Sequence, residues 1–366
     1  MTQKNIEATR IVLTGGGTAG HVIPHLAVLP LYKKYSWDVL YIGSSGIEKE
    51  IIKEHQVPYK TIKAGKLRRY FSFKNLTDII KVLLGGGQSL MYLMKFRPHV
   101  LLSNGGFVSV PVAVAAWLLR IPVVTYEPDQ SPGLANRIIM KFARKILYTF
   151  PETVKHLPKN KAIYAGTPIR RELFGGSKSR AFQLCGFDAE EKIPQILVMG
   201  GSLGALKINQ TLLQCLPSLV QNYRVIHITG KGKGISFAHK NYKSFSYLKD
   251  ELKDIFAISD YIISRAGANA IFEFLALKKP MLLIPLELGS RGDQVLNANS
   301  FLQQGWARVL KETDLSAKKL LESLHSLVED GEQIKKCQSK GPMQDSDQVI
   351  FKIMQQYSEA RSITEP

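Results

Sequence analysis

The sequence predicts an α/β protein built from two parallel-sheet domains that face each other across a cleft. Three observations carry this expectation. Apolar runs of strand length alternate with helical stretches along the chain. A buried strand opening into glycines occurs twice, half a chain apart: Ile11-Val12-Leu13-Thr14 before Gly15-Gly16-Gly17-Thr18-Ala19-Gly20-His21, and Ile196-Leu197-Val198-Met199 before Gly200-Gly201-Ser202-Leu203-Gly204-Ala205. The length, 366 residues, suits about two domains. Glycines at such a strand end let backbone N–H groups approach an anion at a helix N-terminus.

Taken in order, the strands of the first sheet are expected at Ile11–Thr14, Val39–Gly43, Val100–Ser103, Pro122–Tyr126, Lys145–Thr149 and Lys161–Ala165. Helices are expected between them at Leu26–Tyr35, Ile47–His55, Leu76–Phe96, Val112–Leu119 and Leu134–Phe142. The near-continuous apolar character of the strands is that of a sheet covered on both faces. The pattern restarts with Ile196–Met199, Arg224–Thr229, Phe245–Tyr247, Tyr261–Ser264, Met281–Ile284 and Ala307–Leu310. The segment from Gly166 to Arg171 is the expected hinge, which gives domains 1–165 and 166–344. A terminal segment, 345–366, carries a helix over Asp345–Tyr357 that packs back on a domain.

Net charge is +19, which favours anionic partners: nucleic acid, acidic lipid or phosphorylated substrates. The three cysteines, Cys185, Cys215 and Cys337, form neither a disulfide framework nor a metal spacing, and point to a reducing cytosol. The N-terminal residues Met1 to Asn5 are polar and do not read as a signal peptide. The longest apolar stretch, Val108 to Tyr126, is interrupted by Pro111, Arg120 and Pro122, so a spanning helix is not expected.

Several constellations carry chemistry. Gly15 to Gly20 spells G-x-G-x-x-G, but the second strand ends Tyr41-Ile42-Gly43-Ser44-Ser45, without the acid that a dinucleotide site uses to hold a ribose. His21 and His25 stand four apart, a spacing open to zinc, yet with no third ligand nearby the bland reading is one loop histidine and one packed histidine. Gly200 to Gly204 is better placed for phosphates, with the Ser202 hydroxyl as an addition. In Ser264-Arg265-Ala266-Gly267-Ala268-Asn269-Ala270-Ile271-Phe272-Glu273 the small residues clear space at a helix start, and the Glu273 carboxylate suits two ribose hydroxyls. Arg291-Gly292-Asp293-Gln294 reads either as sugar-binding side chains or as a capped loop. Glu127 and Asp129 close a strand at the edge where open α/β sheets bind ligands.

One segment combines basic and apolar character. Lys66, Arg68 and Arg69 are interleaved with Phe71 and Phe73, and an apolar helix containing Leu83 and Leu84 follows. The pairing suits an anionic membrane surface. No nucleic-acid-binding module surrounds it.

Together these segments resemble the MurG-type glycosyltransferases of family 28, which have the GT-B architecture of two Rossmann-like domains. The resemblance runs from Ile11 to about Leu310. It rests on Gly16–Pro24, Gly105–Ser109 with Pro111, Glu127 with Pro132–Asn136, Gly166–Arg170, Gly200–Ala205, Ser264–Ala268 with Glu273, and Asp293-Gln294 with Asn297-Ala298. It implies inverting, metal-independent transfer of N-acetylglucosamine from UDP-N-acetylglucosamine to lipid I, an undecaprenyl-linked acceptor, with no cofactor. The work would be done peripherally at the cytoplasmic face of the cell membrane. Thr18, Ala19 and Gly20 match the family's loop near the sugar and the acceptor pyrophosphate. Arg170, Ser202, Ala268 to Glu273, Asp293 and Gln294 match its donor site. The family commonly has histidine at Tyr126, asparagine at Asp129 and a glutamine pair where Asp293-Gln294 stands. The general base is sought among His21, Glu127, Asp129 and Asp293. His21 is favoured, because an imidazole ordinarily titrates nearest neutrality. Two rival readings stand beside this one: a UDP-sugar 2-epimerase or a transferase for another lipid, and a non-catalytic nucleic-acid-binding protein.

Overall fold

The computed structural model describes residues 8–65, 74–201, 204–288, 292–341 and 345–362. The chain divides into two compact units, one formed by residues 1–169 and 344–366 and the other by residues 170–343.

In the first unit the elements alternate: β1 (Arg10–Thr14), α1 (Ile23–Lys34), β2 (Asp38–Gly43), α2 (Ile47–Glu54), β3 (Tyr59–Thr61), α3 (Lys74–Phe96), β4 (Val100–Ser103), α4 (Ser109–Leu118), β5 (Val123–Glu127), α5 (Leu134–Phe142), β6 (Lys145–Tyr148) and β7 (Ala162–Tyr164). All strands pair in parallel in the order β3-β2-β1-β4-β5-β6-β7. Alternate residues feed opposite faces. Ile11 and Leu13 pack on one side with Leu26, Leu29 and Tyr32 of α1, while Val12 packs on the other with Val112, Ala113 and Ala116 of α4. That double coverage is why these strands read as unbroken apolar runs. Tyr59–Thr61, flanked by Pro58, is too short to show a period and was not expected as a strand.

The second unit runs α6 (Lys178–Cys185), β8 (Gln195–Met199), α7 (Leu206–Leu219), β9 (Arg224–Ile228), β10 (Tyr242–Phe245), α8 (Leu252–Ile258), β11 (Tyr261–Ser264), α9 (Ala268–Ala276), β12 (Met281–Leu283), α10 (Asp293–Gln303), β13 (Arg308–Val309), α11 (Ala317–Glu329) and α12 (Gly331–Gln338). Its sheet is also parallel, in the order β10-β9-β8-β11-β12-β13. In this unit the expectation of a strand over Phe245–Tyr247 is corrected. The strand is Tyr242–Phe245, because Tyr242 is the residue that enters the core, while Tyr247 is exposed.

Helix α13 (Ser346–Ser362) belongs to the first unit. Its Ile350, Phe351 and Met354 join the core around α1, and Phe351 stacks on Trp37 at 4.8 Å and on Tyr35 at 4.7 Å. The division between units follows Ile169, not Ala165. The Tyr126 hydroxyl donates to the Gly166 carbonyl at 3.1 Å and lies 2.6 Å from the Thr149 hydroxyl, so the segment expected as a hinge starts fastened to the first sheet.

Candidate functional site

Both sheets reverse direction of winding at a switch point, between β1 and β4 in the first and between β8 and β11 in the second. The crevice at the carboxyl edge of such a point is where open α/β sheets bind ligands. Each glycine loop occupies one.

In the first unit, Gly15 to Gly20 meets the turn after β4. A Cβ on Gly106 (φ +78°) would lie 2.1 Å from the Gly16 carbonyl oxygen and 3.1 Å from His21 Cδ2, so only glycine permits this approach. Thr18 and Gly20 are exposed. His21 ends a short 3₁₀ turn, Ala19–His21, and is half-buried. Its Nδ1 is 2.8 Å from the Asn104 carbonyl oxygen, which can only accept, so Nδ1 carries a proton. His25 lies inside α1, fully buried, with Nε2 3.1 Å from the Thr14 carbonyl, and burial drives its pKa down to about 3. The two histidines thus follow the bland reading rather than a metal pair.

Beneath this loop sits Glu48, fully buried, which the sequence reading missed. Its carboxylate accepts from the Ser44 N–H at 2.9 Å, from the Ser44 hydroxyl and from the Gly17 N–H at 3.4 Å. Side chains on Gly16, Gly43 or Gly46 would strike it at 2.7, 3.2 and 2.7 Å. Three glycines converging on one acid were the only signal in the sequence, and it is legible only in three dimensions.

The acids after β5 separate in role. Glu127 is 2% exposed, and its oxygens accept from the Asp129 N–H (3.0 Å), the Gly133 N–H (3.3 Å) and the Asn136 amide (2.7 Å). Burial, reinforced by the Asp129 carboxylate, pushes its pKa up to about 8 against those three donors. Through these bonds Glu127, one of the candidate bases, also ties down the 127–133 loop. Asp129 is half-buried, and its carbonyl accepts from the Thr153 hydroxyl at 3.3 Å. Tyr126, where the family has histidine, is wholly buried in the network that holds Gly166.

In the second unit, Gly201 (φ +78°) and Gly204 (φ +68°) need left-handed backbone. A Cβ on Gly204 would meet the Thr229 carbonyl oxygen at 2.2 Å, so the loops after β8 and β9 touch. Ser202 lies outside the described residues. Arg170 and Glu273 form a bidentate pair, Nε to Oε1 at 2.9 Å and Nη2 to Oε2 at 3.2 Å. Burial raises the Glu273 carboxyl and Arg170 opposes the rise. Two residues expected on different parts of a donor therefore hold each other. Glu273 stands beyond the first turn of α9, so it is not a dipole-complementing acid there.

At the start of α9, Asn269 and Ala270 are half-buried, whereas Ala268, Ile271 and Phe272 are buried. The side chains of Ile271 and Phe272 are core, Phe272 packing edge-on to Phe301 at 5.0 Å, so these two positions offer a donor only their backbone. Asp293 is the buried first residue of α10, and Gln294 Oε1 accepts from the Leu286 N–H at 2.9 Å.

Lys66, Arg68, Arg69, Phe71 and Phe73 lie outside the described residues. Leu83 (70% exposed) and Leu84 (48%) sit on α3 in a stripe with Ile79, Ile80, Met91 and Met94. Trp117 and Leu118, at the end of α4, which packs against α3, are further exposed apolar residues that the sequence reading did not name. Among the described residues, no helix is long and apolar enough to cross a membrane.

Two Rossmann-order sheets, each presenting a glycine loop at its switch point, define an enzyme of the nucleotide-handling α/β class. Comparison narrows this. The N-terminal domain of glycosyltransferase family 28 matches residues 11–148 and the C-terminal domain of that family matches residues 195–351. The chain belongs to glycosyltransferase family 28. It is 49% identical over 346 residues, 93% of this chain and 98% of the relative, to the UDP-N-acetylglucosamine--N-acetylmuramyl-(pentapeptide) pyrophosphoryl-undecaprenol N-acetylglucosamine transferase 2 of Bacillus thuringiensis subsp. konkukian. The UDP-N-acetylglucosamine--N-acetylmuramyl-(pentapeptide) pyrophosphoryl-undecaprenol N-acetylglucosamine transferase of Lachnospira eligens is 48% identical over 95% of this chain and 99% of its own. Among solved structures, Acinetobacter baumannii MurG matches with a TM-score of 0.73 at 21% identity, covering 95% of this chain and 99% of that one. The UDP-GlcNAc 2-epimerase of Neisseria meningitidis also matches (TM-score 0.68, 14% identity, 95% and 100% covered), a likeness of fold alone.

Proposed function

We propose that this chain transfers N-acetylglucosamine from UDP-N-acetylglucosamine to the C4 hydroxyl of lipid I, forming lipid II for peptidoglycan, with inversion and without a metal ion. The observation that carries the reading is near-half identity over almost the whole chain to transferases of that name. The site's chemistry supports it. His21 holds its proton on Nδ1 against Asn104, which leaves Nε2 to take the proton of the attacking hydroxyl. Glu127 fixes the loop that carries Asp129 toward the sugar. In the second unit, ribose hydroxyls replace the Arg170 guanidinium on Glu273, and the freed cation turns to the diphosphate. The leaving group is stabilised by preorganised N–H groups and positive side chains.

The acceptor carries a long lipid, and the exposed stripe of α3 with Trp117 and Leu118 gives the chain an apolar face. With Lys81, Lys95 and Arg120 exposed on the same two helices or just beyond them, this face docks at an anionic bilayer on the cytoplasmic side. Flotation with anionic vesicles at low salt is expected to carry the protein, and Leu83→Asp to abolish flotation.

Incubation with UDP-N-acetylglucosamine and a soluble lipid I analogue in the presence of a chelator tests the reaction. The expected product has gained one N-acetylhexosamine in the β configuration. Hydrolysis or epimerisation of the donor without transfer overturns the reading.

A further inference from the structure

The donor's diphosphate needs positive charge, and Arg170 is engaged by Glu273 at 2.9 and 3.2 Å. A second cation, Lys233, stands beside the glycine loop that follows β8. The turn after β9, Thr229-Gly230-Lys231-Gly232-Lys233-Gly234, presses against the glycine loop after β8. Half-buried Lys233 places its ammonium 3.1 Å from the Gly204 carbonyl oxygen. Lys231 lies over the Tyr247 ring, 5.7 Å from its centroid.

Lys233 is held from behind by a buried polar network. The Asn209 amide donates to the carbonyls of Thr229 and Lys233, each at 2.9 Å. Asn209 Oδ1 accepts from His227 Nε2 at 3.0 Å, and His227 Nδ1 then accepts from the Tyr242 hydroxyl at 3.0 Å. That order of donors requires a neutral imidazole, which burial supplies by lowering the His227 pKa to about 4. A network satisfied through Asn209, His227 and Tyr242 rigidifies the backbone it holds. No step of the proposed reaction uses these three residues; what they fix is the position of Lys233.

We propose that Lys233 is a donor-binding residue: its ammonium, aligned on the glycine loop by the Asn209–His227–Tyr242 network, pairs with the diphosphate of the UDP-sugar. The inference rests on the reading of the second unit as the UDP-sugar site. An ammonium fixed in this way serves a phosphate as a point charge, as the lysine of a P-loop does. It therefore acts on ligands that carry phosphate and on no others.

Titration calorimetry with UDP and with uridine, on the wild-type chain and on Lys233→Met, Lys233→Gln and Lys233→Arg, tests this. Lys233→Met and Lys233→Gln are expected to weaken UDP about tenfold or more while uridine affinity stays within about twofold, and to flatten the salt dependence of UDP binding. Lys233→Arg is expected to recover most of the UDP affinity. Glutamine removes the charge but retains N–H donors, so it separates charge from polarity even if methionine disturbs the fold. Equal weakening of UDP and uridine, or full UDP affinity in Lys233→Gln, overturns the inference. A wild-type chain that binds neither ligand overturns the donor reading itself, and this inference with it.

Discussion

The two glycine loops occupy the same place in two sheets of matching strand order, yet each keeps a different charge beside it. Under the first loop the chain puts its own anion: the Glu48 carboxylate takes the Gly17 N–H and lies against Gly16. Beside the second it puts its own cation: the Lys233 ammonium takes the Gly204 carbonyl. A G-x-G-x-x-G loop whose N–H is already answered by an internal carboxylate is a poor cradle for a nucleotide pyrophosphate. The lesson is that a glycine signature reports backbone freedom, and that the side chain set against it decides which ligand the freedom serves. The first loop carries His21 past Gly106, and the second, with Lys233 beside it, is the one proposed to meet phosphate.

The most severe test of that difference falls on the first loop. His21→Ala is expected to lower kcat by about 10²- to 10⁴-fold in a steady-state transfer assay, while UDP affinity is unchanged because the donor loop is untouched. Turnover within a few-fold of wild type means that the first loop does not carry the base. Next in size, Glu48→Ala removes the buried carboxylate that accepts from the exposed Gly17 N–H and the half-buried Ser44, which costs about 0.5–1.5 kcal/mol in lost hydrogen bonding. Chemical denaturation is expected to show that loss, and kinetics to show a raised acceptor KM with an unaltered UDP dissociation constant. A Glu48→Ala protein whose donor affinity falls instead would break the comparison.

Glu127 sharpens it through pH. Its native pKa, near 8, lies above the value an unfolded glutamate has, so the folded chain binds more protons between the two. Its contribution is full below the unfolded pKa and is lost as pH rises through about 8. Stability is thus expected to fall across that window by up to about 1.4 kcal/mol per pH unit, and Glu127→Gln to remove this component of the slope. Midpoints of urea unfolding measured from pH 5 to 9 check it; an unchanged slope in the variant contradicts the assignment. The smallest effect concerns α3, which contains three successive glycines. A Cβ on Gly85 would strike the Lys63 carbonyl oxygen at 2.0 Å, whereas Gly87 faces open space. Gly87→Ala is expected to stabilise by about 0.5–1 kcal/mol, read as a rise in melting temperature, and Gly85→Ala to destabilise.

Much of this architecture was legible before any coordinates. Strand followed by glycines is a local pattern, and Ile11–Thr14 and Ile196–Met199 lie where they were expected within a residue. Tyr59–Thr61 was not legible, because three residues beside a proline show no period. Ser346–Ser362 could be read as a helix, but its attachment to α1 through Phe351 depends on residues more than three hundred positions away.

By itself, then, the sequence determined two parallel α/β units and two glycine loops, since each follows from neighbours in the chain, while Arg170 was singled out by family resemblance alone. Only the tertiary structure decided which groups answer one another. Glu48 turns under a loop that precedes it by a whole helix and strand, Arg170 closes on Glu273, and Lys233 reaches Gly204. Hydrogen bonds and charges act over a few ångströms of space and are indifferent to separation along the chain, so no local pattern of residue types could have revealed those pairings.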